Sequence, residues 1–300
     1  MFDLMKYKWF FFGISLLVIL PGLFFLVRFG LRLSIDFTGG TLLEIKNTKL
    51  VENNNLQKTK EIFTKDNIEV ASIQKTGNGT YLFRTKTIDK DQKNKILADI
   101  QSQFGPTEEE RFETVGPTIG AELTQKALLS VLVASLMIVV YIAYAFREIP
   151  KPYSPWKFGI SAVVALLHDV LVVTGLFAIF GYFLKVEIDT LFITALLTVI
   201  GFSVHDTIVV FDRVRENLRK DGGRSSFTAI VNESVLQTLV RSLNTSLTVL
   251  FTLLALILFG GETIRWFVIA LFIGVFSGTY SSIFNAAPLL VLWEEYRGRK

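Results

Sequence analysis

The 300-residue chain contains no cysteine, only two histidines and seven prolines, and its 31 basic residues outnumber 27 acidic ones by just 4. Without cysteine there are no disulfides, so any part facing an oxidising compartment must be held together by its own core. So small a net charge, with Lys and Arg clustered beside apolar segments, excludes a nucleic-acid footprint and reads as membrane topology instead. No nucleotide-binding or metal-binding spacing occurs, so ATP is not expected as direct fuel, and neither an enzymatic activity, a catalytic group, a cofactor nor a metal is expected.

What the chain does have is apolar length. Hydrophobic residues make up 51% of it, and they gather in runs at 9–29, 123–146, 158–184, 191–211, 243–259 and 266–293. A helix of about 20 residues crosses about 30 Å of hydrocarbon, which predicts six transmembrane helices. The first run outlasts a signal-peptide core, and Arg28-Phe29-Gly30-Leu31-Arg32 after it offers no cleavage pattern, so it is retained as a helix. Basic residues flank alternate ends: Lys6 and Lys8; Arg147, Lys151 and Lys157; Arg213, Arg215, Arg219, Lys220 and Arg224; then Arg297, Arg299 and Lys300. With six crossings all four groups share one side, predicting cytoplasmic termini and a cytoplasmic helix with a Gly222-Gly223 turn over 212–224.

The polar segment 31–122 is too long for a simple connection and is predicted to be an exported domain, giving the division 1–30, 31–122 and 123–300. Its pattern reads as a strand at 41–46, a helix at 56–66, a strand at 68–75, a Gly77-Asn78-Gly79 turn, a strand at 80–87, a helix at 90–104 and a strand at 109–115. That β-α-β-β-α-β order predicts an α+β ferredoxin-like domain inserted into an α-helical membrane protein.

Titratable groups inside spanning helices are costly and therefore mark function. His168-Asp169 in the third run and His205-Asp206 in the fourth qualify, each pair leading into a similar apolar stretch. In the fifth run Arg241, Asn244, Thr245, Thr248 and Thr252 recur at spacings of three and four, forming one polar stripe that should face protein or water. A carboxylate at Asp206 and the guanidinium of Arg241 form a candidate two-state element, paired when charged and released when the acid takes a proton. The bland alternatives are helix packing by the threonines, interfacial snorkelling by Arg241, a static ion pair at Asp206 and a plain inter-helix hydrogen bond at His168 and Asp169. The sixth run carries the small-residue ridge Gly274, Gly278 and Ser282, read as packing, and further on Asn285 and Pro288.

Asp36-Phe37-Thr38-Gly39-Gly40-Thr41, Val115-Gly116-Pro117, the stretch from Gly201 through His205-Asp206-Thr207 to Asn217, and Arg241-Ser242-Leu243-Asn244-Thr245-Ser246 together resemble the SecF family of bacterial protein-translocase subunits, within the SecD/SecF family and the resistance-nodulation-division superfamily. The resemblance runs the length of the chain. It implies a bacterial cytoplasmic-membrane protein that pairs with SecD, assists the SecYEG channel and the SecA motor, and uses the proton or sodium gradient to promote export of unfolded polypeptides. It places the ion path on Asp206 and Arg241. Where the family often has Asn before the motif Asp, this chain has His205, whose role stays open. The alternative is an ion-driven exporter of small molecules or lipids from the same superfamily, which would need a second half from another subunit.

Overall fold

A computed structural model describes residues 3–47, 49, 55–75, 80–147, 149–150 and 152–298. The expected Gly77-Asn78-Gly79 turn and the basic residues Lys151, Arg299 and Lys300 lie outside that set. In chain order the elements are α1 (Lys8–Phe29), α2 (Ile35–Thr38), β1 (Gly40–Lys46), α3 (Asn55–Lys65), β2 (Val70–Lys75), β3 (Thr80–Thr85), α4 (Lys90–Phe104), β4 (Glu108–Val115), α5 (Pro117–Ala145), α6 (Pro155–Phe183), α7 (Thr190–Asp221), α8 (Phe227–Phe259), α9 (Arg265–Ser281), a π-helical stretch (Ser282–Ala286) and α10 (Ala287–Gly298). Among the described residues, six helical segments are long and apolar enough to cross a membrane. The chain divides into two compact units, Met1–Arg32 with Leu129–Lys300, and Leu33–Leu128.

The unit Leu33–Leu128 is built on one antiparallel sheet of order β2-β3-β1-β4. Side chains alternate across a strand, so Leu43 and Ile45 of β1 and Tyr81 and Phe83 of β3 share one face. They are buried there against Ile62 and Phe63 of α3 and Ile96, Ile100 and Phe104 of α4. A capping box between Asp89 and Gln92 starts α4. Asn67, in the left-handed region at φ 58°, turns the chain after α3 while the Ile68 amide donates back to the Phe63 carbonyl at 3.0 Å, so β2 begins at Val70 rather than at 68. Gly39 turns the chain at φ 70°, and a β-carbon there would lie 2.9 Å from the Pro117 Cα, so this glycine lets the start of β1 pass against the start of α5.

The other unit is a helical bundle. Gly22 of α1 and Gly175 of α6 face each other, and small residues of α9 meet α7, with Gly274 against Val199 and Gly278 against Ser203, so the ridge does serve packing. The Asp189 carboxylate caps α7 by accepting from the Phe192 amide at 2.9 Å, and Gly222 ends it at φ 61°. The expected helix over 212–224 is present as far as Asp221, as the unbroken continuation of α7, with the Gly222-Gly223 turn after it, and α8 begins at Phe227, well before the apolar run at 243. The reason is pairing between their polar ends: the Asn217 amide donates to the Ser234 hydroxyl at 2.8 Å and to Gln237 at 3.0 Å, which also accepts from Arg213 at 2.6 Å. The sixth run is not one α-helix. It widens to π winding at Ser282–Ala286, two residues ahead of Pro288, whose ring nitrogen has no hydrogen to donate to the preceding turn.

Candidate ion-coupling site

Asp206 lies on α7 facing α8 and α9, and is 2% exposed. Its carboxylate accepts from the Ser246 hydroxyl at 3.4 Å, and that hydroxyl in turn accepts from Thr279 at 2.6 Å. No guanidinium or ammonium pairs with it among the described residues.

Arg241 stands elsewhere. It is exposed, shares a surface cleft with Asp212, Arg213, Glu216 and Gln237, and makes no ion pair among the described residues. The nearby acids are engaged by Arg213, Arg215 and Lys220. Helix geometry explains the separation: Ser246, which meets Asp206, is five residues beyond Arg241, about 7.5 Å along the axis and about 140° around it. The stripe of Arg241, Asn244, Thr245, Thr248 and Thr252 therefore lies on an exposed face of α8, with Thr245, Thr248 and Thr252 donating to carbonyls of their own helix. A second stripe, Ser234, Thr238, Ser242 and Ser246, repeats every four residues and is the one turned inward. His205 is exposed beside Asp206.

The other carboxylate is differently held. Asp169 of α6 is fully buried. Its Oδ1 meets His168 Nδ1 at 2.9 Å and accepts from Ser277 at 2.6 Å, while its Oδ2 accepts from Ser203 at 2.5 Å and Ser281 at 2.7 Å. Asn285, in the π-helical stretch, accepts from Ser15 of α1 at 2.9 Å. The sequence reading passed over Ser203, Ser246, Ser277, Thr279 and Ser281. Part of their signal was present: Ser203 shares α7 with Asp206, while Ser242 and Ser246 on α8 and Ser277 and Ser281 on α9 are small hydroxyl residues four apart on apolar helices.

Comparison with known proteins gives these residues a family. The family model described as Protein export membrane protein SecD/SecF, C-terminal, matches residues 94–296, and that of the SecD/SecF GG Motif matches residues 24–46. A protein translocase subunit SecF from Thermobaculum terrenum is 50% identical over 98% of this chain and 94% of its own length. Another from Anaerolinea thermophila is 45% identical over the same shares. The crystal structure of SecDF, a translocon-associated membrane protein from Thermus thermophilus, matches with a TM-score of 0.83 at 32% identity, covering 98% of this chain and 39% of that one. The chain thus spans about two fifths of that SecDF chain. With six apolar helices and relatives of this kind it is a multi-pass membrane protein, and it belongs to the SecD/SecF family of protein export membrane proteins.

Proposed function

We propose that this chain is a non-catalytic auxiliary subunit of the Sec protein translocase, acting with SecD in the bacterial cytoplasmic membrane to convert the proton or sodium gradient into export of unfolded polypeptides delivered through SecYEG by SecA. The observation that carries the reading is the separation of Asp206 from Arg241: a buried carboxylate on α7, and on the adjacent α8 an exposed guanidinium, with no ion pair at either among the described residues. Proton or ion loading at Asp206 stabilises this open arrangement, and its loss draws the guanidinium and carboxylate together.

The exposed polar stripe on α8 supports a partner, because such a face is unfavourable against lipid and is satisfied by polar groups of another subunit. SecD is that subunit in this reading, and lipid covers the remaining apolar faces. The unit Leu33–Leu128, whose antiparallel order β2-β3-β1-β4 fits a ferredoxin-like sandwich, is the exported part and meets substrate or SecD on the outer side, with both termini cytoplasmic. Preprotein export into inverted membrane vesicles tests this. Adding the chain with SecD should create a gradient-dependent component of export that neither subunit supplies alone; export equally fast without the chain contradicts the proposal.

A further inference from the structure

The Asp206 switch leaves the Asp169 cluster unused, and the cluster has a chemistry of its own. Four donors occupy the two carboxylate oxygens: three serine hydroxyls from α7 and α9, and Nδ1 of His168. An ionised carboxylate only accepts, so this donor set fits the charged acid and assigns the ring hydrogen to Nδ1. Nε2 of His168 then keeps its lone pair. That nitrogen is buried and has no hydrogen-bond partner among the described residues, and the residue as a whole is 9% exposed.

The His168 ring also lines a cavity of about 250 Å³ between α1, α6 and α9, walled mostly by residues such as Val18, Val172 and Phe272. The polar groups on its walls are committed elsewhere: Ser15 donates to Asn285, Tyr280 to the Phe11 carbonyl at 2.7 Å, and Ser277 to Asp169. Tyr280 stacks beside the imidazole with ring centres 6.3 Å apart. Apart from Asp169, it is the only titratable side chain that α1, α7, α9 or the π-helical stretch brings to the ring among the described residues. An imidazole fixed by a buried carboxylate through one nitrogen, with the other nitrogen unpartnered, is the arrangement in which histidine accepts a proton.

We propose that His168 and Asp169 form a proton-acceptor site inside the bundle, separate from Asp206, which takes a proton delivered through the cavity between α1, α6 and α9. Hydronium gives its proton to Nε2 and is returned as water; one N–H bond forms, imidazole becomes imidazolium, and the pair passes from one negative charge to neutrality. The inference does not depend on the Asp206 reading, since it concerns other groups and needs no export to test.

The chain has only two histidines, so His205→Gln leaves a single imidazole. Solid-state NMR of this variant, full-length, labelled with ¹⁵N-histidine and placed in lipid bilayers, reads both ring nitrogens directly. At neutral pH one signal should be protonated and assigned to Nδ1, and Nε2 should give an unprotonated signal that acidification of the sample removes. A ring carrying its proton on Nε2 at neutral pH, or an Nε2 signal that acidification leaves unchanged, overturns the proposal and leaves the cluster a helix tie. If His205→Gln does not fold, the same spectra of the unaltered chain, with the His168 signals identified by their loss in His168→Gln, decide the question.

Discussion

Ser246 reaches Asp206 across the α7–α8 interface at 3.4 Å, at the long limit of a hydrogen bond, whereas Ser281 reaches Asp169 at 2.7 Å. The two carboxylates are therefore held with different strengths. Ser246→Ala should cost less than about 1 kcal/mol, and Ser281→Ala about 1.5–3 kcal/mol, the range for a hydrogen bond to a charged group. Reversible unfolding in mixed micelles measures both. Equal costs would mean that Asp206 is as firmly anchored as Asp169 and is a poor switch.

The crossing of α1 and α6 depends on the absence of side chains. A β-carbon on Gly22 would lie 2.9 Å from the Gly175 Cα, and that Cα belongs to backbone that cannot swing aside. Gly175→Leu should therefore destabilise the bundle by about 1–3 kcal/mol or more through overpacking. The same micelle unfolding assay applies, and a neutral result would show that α1 is not packed there.

In the sheet-containing unit, Phe63 of α3 stacks on Phe83 of β3 with centroids 5.2 Å apart, both fully buried. Phe63→Ala removes a large part of a small core and should cost about 3–5 kcal/mol. Hydrogen exchange of the full chain should show β1 and β3 amides losing protection while α6 and α9 amides keep theirs. Parallel loss in both units would indicate that they unfold together.

The outward stripe on α8 makes a prediction about the partner. Because the chain lacks cysteine, Thr248→Cys supplies one thiol for a photo-activated cross-linker. In membranes containing SecD, that probe should join the two subunits, whereas a probe at Leu17→Cys, on an exposed apolar face of α1, should label lipid. Cross-linking to SecD from Leu17 and not from Thr248 would place the interface elsewhere.

Much of the architecture is legible in the sequence because it rests on local physics. Long apolar runs give six spanning helices, and alternating Leu43, Ile45, Tyr81 and Phe83 give a one-sided sheet. Helix extent is less legible. Hydropathy sees only the hydrocarbon-sized part of α7 and α8, while their polar ends are held by Asn217, Ser234 and Gln237. At the site, intramembrane charge picks out Asp206, Asp169 and Arg241, but not which face of α8 turns inward. Two hydroxyl stripes run along that helix, and the inward one consists of the smaller side chains, since close helix approach selects by size before polarity. The weight of Asp169 is invisible for a similar reason: its four donors come from three helices, and their convergence is a tertiary fact.

Gradient-driven preprotein export into inverted vesicles containing SecD and either the unaltered chain or Asp206→Asn, at equal amounts of assembled complex, reads whether Asp206 changes state with the gradient. Asp206→Asn should assemble normally and lose the gradient-dependent part of export while the ATP-driven part persists. Export that responds to the gradient as before, with Asn in place of the acid, would mean that Asp206 is not the switch.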